Sequence, residues 1–341
     1  MKHSKNVLIL IFSSLYFFVF GVCHADSDQE IEHLKIKRLN DTFIDAYIKR
    51  PVNSKGKTGI LLMLQGSGCL PSRDRLFAWE EKWNRQSKNR VAVLMAEKIG
   101  VNLDNIGYCS DEYRQHHTFH QRVYDYTRII QSLRNSASWW NGKLYLMGGS
   151  EGGSLAAVLA SIIPETKKVV MLVAGGGMTL AEAIPFGVAD SMRKNGRPEY
   201  EIDMVLQQFK SLFDEIRNNP TPNQLLGSDP ELGSVFQETY KLFASMLDIR
   251  PLNRLVDLNI PIYMAHGTED TNDPVDSVYQ TIDAFDDLGK KNLVYREYEG
   301  LDHGFNDING IPRLQEVLTD AFDWLFESHE EDDHEKAGER R

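Results

Sequence analysis

An α/β fold with a mostly parallel central sheet and helices on both of its faces is what this 341-residue sequence predicts. Three observations carry that expectation. Short continuous apolar runs recur along the chain, as strands buried on both faces require. Stretches with apolar residues at three- and four-residue spacing lie between them, as helices packed on a sheet require. A single interval of 85 residues, 175–259, is helical in pattern and breaks the alternation.

At the start of the chain, Lys2 and Lys5 precede a nearly unbroken apolar run from Val7 to Val22, followed by Cys23-His24-Ala25 and then by polar residues. A positive start, an apolar core and small residues before a polar boundary predict a secretory signal peptide over residues 1–25, cut after Ala25. The apolar run, at about 16 residues, is shorter than the roughly 18 of a membrane span, so no stable span is expected after cleavage. The expected location is therefore secreted or periplasmic.

Alternating stretches at Ile31–Leu39 and Phe43–Lys49 predict an antiparallel pair with one wet face. Gly59–Leu64, Val91–Ala96, Leu144–Met147, Val169–Ala174 and Ile260–Ala265 are apolar runs that predict buried parallel strands, and Leu293–Tyr298 closes the series. Helices are expected at Phe119–Leu133, Leu155–Ile163, Val275–Leu288 and Leu314–Leu325, where the apolar residues fall on one face. Interval 175–259 carries amphipathic runs such as Phe209, Leu212-Phe213 and Ile216, punctuated by Pro220, Pro222 and Pro230. A structureless loop of that length inside a domain is improbable, so it reads as an inserted helical cap. The expected layout is a core in two parts, residues 26–177 and 256–328, interrupted by the cap at 178–255 and followed by a charged, solvated tail at 329–341.

A formal net charge of −11 and the absence of a basic cluster speak against a nucleic-acid partner. After removal of the signal, two cysteines remain, Cys69 and Cys109. An even count in an oxidising compartment favours a disulfide between them, with two buried thiols as the alternative.

The chemistry concentrates at Leu144–Ala157, which reads as a buried strand, a turn of small residues and a helix around Gly148-Gly149-Ser150-Glu151-Gly152. G-x-S-x-G in that setting places a serine on a sharp strand-to-helix turn with its hydroxyl exposed. The amide of Glu151, first in the helix, can donate to a developing oxyanion, while its carboxylate reads as facing solvent, with the cleft, where it could attract a substrate amine, as the alternative. Two pieces downstream complete a nucleophile, acid and base in that chain order. The strand Ile262–Ala265 runs into His266-Gly267-Thr268-Glu269-Asp270, and Asp302-His303-Gly304-Phe305 follows the next strand. His303 is the candidate base. Asp270, Asp273 and Asp276 are the candidate acids; Asp302 adjoins His303 and points elsewhere in most turn geometries. His266 reads as structural. His116, His117 and His120 have helical spacing that suits a metal, but no carboxylate or cysteine partner stands nearby, so neither a metal nor a cofactor is expected. Gly175-Gly176-Gly177 lacks the Lys-Ser/Thr continuation of a phosphate loop and reads as the turn where the cap begins.

These motifs resemble the α/β-hydrolases, nearest to the branch that includes dienelactone hydrolases, prolyl-oligopeptidase-type catalytic domains and related acyl esterases. The matching pieces are GGSEGG at 148–153, HGTEDTNDPV at 266–275 and DHGF at 302–305, with DIRPL at 248–252, and the likeness spans roughly residues 57–328. The resemblance implies a triad of Ser150, Asp270 and His303, because Asp270 fits His-Gly-x-x-Asp. Asp273 stands where that branch often has valine. It also implies a second oxyanion donor from Leu64-Gln65-Gly66-Ser67-Gly68, similar to the His-Gly-x-Gly loop, with Gln65 in place of His and the backbone N–H assigned to Ser67. The function implied is an exported serine hydrolase that cleaves a small-molecule ester or thioester through an acyl-enzyme. The alternatives are a serine peptidase or aminopeptidase of prolyl-oligopeptidase type, an acyltransferase, and a non-catalytic binding protein on the same fold. Oligomeric state is not legible.

Overall fold

The computed structural model describes residues 31–51, 56–73, 91–102, 109–226 and 238–326. The expected signal peptide and charged tail lie outside the described residues. Eight strands form one sheet: β1 (Ile31–Lys37), β2 (Phe43–Lys49), β3 (Thr58–Leu64), β4 (Val91–Ala96), β5 (Trp140–Gly149), β6 (Thr166–Leu172), β7 (Ile262–Gly267) and β8 (Leu293–Tyr298). Their spatial order is β1-β2-β4-β3-β5-β6-β7-β8. The first two strands pair antiparallel, β2 pairs antiparallel with β4, and every later pairing is parallel. The expected antiparallel pair and parallel series are therefore present.

Period-two alternation in β3 explains how one strand serves two layers. Ile60, Leu62 and Leu64 enter one apolar core with Phe119, Tyr126 and Ile129 of α2 (Phe119–Ser136) and Leu155 and Leu159 of α3 (Glu151–Ile162). Leu61 and Met63 enter the opposite core with Leu314, Val317 and Phe322 of α9 (Leu314–Phe326). Among the described residues the remaining helices are α1 (Asp111–His116), α4 (Leu180–Lys194), α5 (Glu199–Asn218), α6 (Tyr240–Ala244), α7 (Leu252–Leu255) and α8 (Val275–Asp287). Val278 and Phe285 of α8 join the same core as α2 and α3.

Between β6 and β7, helices α4, α5 and α6 bury their apolar faces on one another. Ile184, Phe209, Phe213, Ile216, Tyr240 and Phe243 form a core of their own. The next helix behaves differently, because Leu255 of α7 packs into the main core.

Three elements depart from the expectation. β5 runs from Trp140 to Gly149 rather than over four residues, because Trp140 already pairs with Thr58 of β3 ahead of a register shift that precedes Leu144. α3 starts at Glu151, four residues earlier than periodicity indicates, because glycine carries no apolar signal. β8 is not buried on both faces. It is an edge strand with Val294, Arg296 and Glu297 exposed.

Chain order reverses between β4 and β5, which lie on opposite sides of β3. Such a switch point opens a crevice beyond the carboxyl ends of the strands. Here it lies between residue 65, just past β3, and residue 150, just past β5. Close approach of α3 to the sheet depends on missing side chains. A Cβ on Gly148 would lie 2.1 Å from the Gly152 carbonyl oxygen, and one on Gly152 would lie 2.2 Å from that of Leu64. We predict that Gly148→Ala lowers unfolding stability by roughly 2 kcal/mol or more through overpacking. Gly56→Ala, where the added methyl meets nothing within 4 Å, leaves it unchanged. Urea midpoints of the two variants check this.

Candidate active site

Ser150 follows β5 directly and precedes α3 with φ of 55° and ψ of −124°. Positive φ in a non-glycine residue costs about 1–3 kcal/mol and persists only where the surroundings impose it. Here they do. Ser150 N–H donates to the Leu172 carbonyl of β6 at 2.9 Å, and the Ser150 carbonyl accepts from Gly153 N–H at 2.9 Å. The neighbouring strand end is strained too: Val173, past β6, has φ of 45° and donates its N–H to the Ala265 carbonyl at 2.9 Å.

The structure brings Ser150, His303 and Asp270 together. His303 Nε2 lies 3.0 Å from Ser150 Oγ, and its Nδ1 lies 2.7 Å from Asp270 Oδ2. The second Asp270 oxygen accepts the N–H groups of Asn272 at 2.9 Å and Asp273 at 3.0 Å. The Asp273 carboxylate instead accepts the Gly175 N–H at 2.6 Å. Asp302 braces the histidine loop, accepting from the N–H groups of Gly304 and Asn306, each at 2.8 Å. His266, buried in β7, has Nε2 2.6 Å from the Asp273 carbonyl oxygen and 3.2 Å from Asp270 Oδ2. It therefore steadies the acid from behind.

Residues 65–69 lie against the serine turn; a Cβ on Gly66 would sit 3.5 Å from that of Ser150. Buried charges hold this loop. Arg122 of α2 donates to the Gln65 carbonyl at 2.7 Å and to Glu151 Oε1 at 2.7 Å. Lys98 donates to the carbonyls of Gly66 and Gly68, both at 2.5 Å. Glu238 accepts the Gly68 N–H at 2.8 Å and the Tyr113 hydroxyl at 3.3 Å. Ser67 Oγ donates to Glu151 Oε2 at 3.1 Å. A disulfide joins Cys69 to Cys109 and fixes the end of the loop. Among the described residues, no hydrogen bond occupies the Ser67 N–H. Glu151 corrects the expectation that its carboxylate faces solvent. It is 4% exposed, because Arg122 comes from a helix packed against α3 and must be neutralised.

A cleft of about 900 Å³ opens over Ser150, Ser67 and His303. Its far wall is apolar and comes from the inserted helices and their connections: Leu180, Ile184, Leu242, Phe243, Met246 and Ile249.

No family model matches the chain, and no curated protein matches it. Solved structures do. Est1E from Butyrivibrio proteoclasticus is 17% identical, with a TM-score of 0.53 over 86% of this chain and 96% of that one. Pyrococcus horikoshii acylaminoacyl peptidase is 18% identical, with a TM-score of 0.56 over 93% of this chain and 42% of that one. A Pyrococcus furiosus esterase is 12% identical, with a TM-score of 0.52 over 88% of this chain and 92% of that one. The chain has the α/β-hydrolase fold.

Within that fold the electrostatics separate the roles of the titratable groups. Burial pulls the His303 imidazole down, but the charge and hydrogen bond of Asp270 outweigh it, and its pKa rises above the ordinary value of 6.5. Burial pushes Asp270 up, yet His303 and His266 carry it well below the usual carboxylate range. Asp270 is thus held in its ionised form beside an imidazole that it makes more basic. Glu151, despite burial, is brought down to about 2 by Arg122 and Lys98. A hydroxyl facing an imidazole that is oriented by a buried carboxylate has the geometry for nucleophilic attack with general-base assistance.

Sequence reasoning missed Lys98, Arg122 and Glu238. For Arg122 a signal existed: it occupies a core-facing position of α2, three residues after Phe119 and four before Tyr126. His117, weighed as a metal ligand, is buried and stacked on Tyr113 with ring centroids 4.4 Å apart.

Only neutral His303 can accept the serine proton. We predict that acylation of Ser150 by an activated ester, followed by stopped flow, slows as pH falls through a midpoint above 6.5. Asp270→Asn slows it by about 10⁴-fold and moves the midpoint down, because the largest influence opposing burial of the imidazole is then gone and only the weaker pull of Asp273 remains.

Proposed function

We propose that this protein is an exported serine hydrolase that cleaves carboxylic esters, or thioesters, of apolar acyl groups through an acyl-enzyme. The observation that carries the reading is the Ser150–His303–Asp270 chain, with contacts of 3.0 and 2.7 Å at the floor of an apolar-walled cleft.

In this reading Ser150 Oγ attacks the substrate carbonyl carbon while His303 Nε2 takes the hydroxyl proton. The carbonyl oxygen becomes the oxyanion and accepts hydrogen bonds from the backbone N–H groups of Ser67 and Glu151. The Glu151 N–H lies at the N-terminus of the 12-residue α3, where the helix leaves it without an internal acceptor. Collapse of the tetrahedral intermediate breaks the bond to the leaving alcohol or thiol, which receives the proton from His303. Water, deprotonated in turn by His303, then attacks the acyl carbon and releases the acid and Ser150. The inserted helices act as a cap that receives the acyl group. The Cys69–Cys109 disulfide supports an oxidising compartment. Among the described residues no helix is long and apolar enough to cross a membrane.

Similarity to an acylaminoacyl peptidase supports a second reading, a serine peptidase. A panel of p-nitrophenyl esters of increasing acyl length, run beside short peptide amides, separates the two. We expect turnover of esters with an optimum at medium acyl length, weak or absent peptide cleavage, and at least about 10⁴-fold loss in Ser150→Ala. Peptide cleavage without ester turnover would establish the second reading. Inactivity toward both would leave a binding protein on this fold.

A further inference from the structure

Glu238 has no part in the proton path described above, yet it is 2% exposed and lines the same cleft as Ser150. It comes from the segment inserted between β6 and β7, and it reaches the loop after β3 across 170 residues of sequence. We propose that Glu238 is a positioning residue: its carboxylate clamps the 65–69 loop in the shape that presents the Ser67 N–H to the substrate oxygen. This rests on the hydrolytic reading above and adds a residue to it.

The contacts define the clamp. One carboxylate oxygen accepts the Gly68 N–H at 2.8 Å, and the other accepts the Tyr113 hydroxyl at 3.3 Å. Gly68 has φ of 84°, a conformation that L side chains rarely adopt. From the other side Lys98 holds the carbonyls of Gly66 and Gly68. The peptide groups on either side of Ser67 are therefore oriented by one cation, through the Gly66 carbonyl, and one anion, through the Gly68 N–H, both buried, and the Ser67 N–H belongs to the first of these groups. An oxyanion donor must be aimed before the charge develops. The clamp supplies that aim from the inserted helices, so seating of the cap and assembly of the oxyanion site are one event.

The charges around Glu238 make the clamp titratable near neutrality. Burial and the Glu151 carboxylate push its pKa up, while Lys98, the Gly68 N–H and the Tyr113 hydroxyl oppose them, and the balance lies at about 7. Arg122 pairs with Glu151, and His117 is held neutral by burial and by the charges of Lys98 and Arg122. Protonation of Glu238 removes the charge that both donors face and turns one of its two acceptor oxygens into a donor, so the clamp weakens as pH falls through that value. Two groups, His303 and Glu238, must then be deprotonated for full rate.

The test measures kcat, KM and their pH dependence with a p-nitrophenyl ester for wild type, Glu238→Ala and Glu238→Gln, with active sites titrated and melting temperatures recorded. The expected result for Glu238→Ala is a loss in kcat of about 10- to 100-fold with KM within about twofold, below the roughly 10²- to 10³-fold of an oxyanion donor removed outright. Glu238→Gln, which keeps an acceptor for Gly68, recovers part of kcat. Its acid limb has a slope of one in log kcat/KM, where wild type exceeds one. Wild-type kcat and slope in both variants would overturn the proposal. So would losses that track melting temperature alone, with the steep acid limb retained. A wild type that turns over no ester would overturn the hydrolytic reading itself, which is a separate outcome.

Discussion

A serine held in forbidden backbone at the end of a buried strand is the constraint on which the rest of this molecule depends. Ser150 at φ of 55° is tenable because glycines at 148, 152 and 153 let α3 lie against β5 and β3, and because the turn's own N–H and carbonyl are hydrogen-bonded. A side chain at 148 or 152 would push the helix away and let the turn relax. The hydroxyl would then lose its line to His303. Glycine content, sheet register and chemistry are in this sense one problem, solved at the point where strand order reverses.

Around that turn the protein buries an unusual amount of charge. Arg122, Lys98, Glu151 and Glu238 are each at most 5% exposed and lie within one connected network. Two cations and two anions leave no net charge to desolvate, which is the condition under which such a cluster is tolerable. An apolar replacement of the same volume would cost less desolvation. It would not orient the backbone of residues 65–69, which needs donors for its carbonyls and an acceptor for an N–H. The disulfide at Cys69 adds a covalent limit to the same loop. The other polar chain runs from Asp270 to His303 to Ser150, and Ser150 is bonded directly to Glu151 of the charged network.

Much of this was legible in the sequence because its signals are local. Strand runs show as apolar stretches, and Ser150, the acid turn and His303 each sit in a short motif just past a strand. The choice of Asp270 over Asp273 came from motif likeness, and its physical reason appears only in three dimensions, where Asp273 is spent on the Gly175 N–H. What was not legible is pairing across distance. Nothing near Glu238 marks it as the partner of Gly68, and nothing near Lys98 points to the loop 30 residues before it. Glu151 read as solvent-facing because its partner arrives from another helix. β8 read as buried because Leu, Val and Tyr dominate it, while its place at the sheet edge leaves one side open.

Under the proposed function, Ser150 is a nucleophile activated by His303. Exposure of the intact protein to an alkyl fluorophosphonate, followed by mass spectrometry of the whole chain and of its peptides, measures this directly. We expect one adduct per chain, on the peptide that holds Ser150, with labelling lost in Ser150→Ala and slowed by at least about 10³-fold in His303→Ala. No adduct, or an adduct that persists in Ser150→Ala, would contradict it.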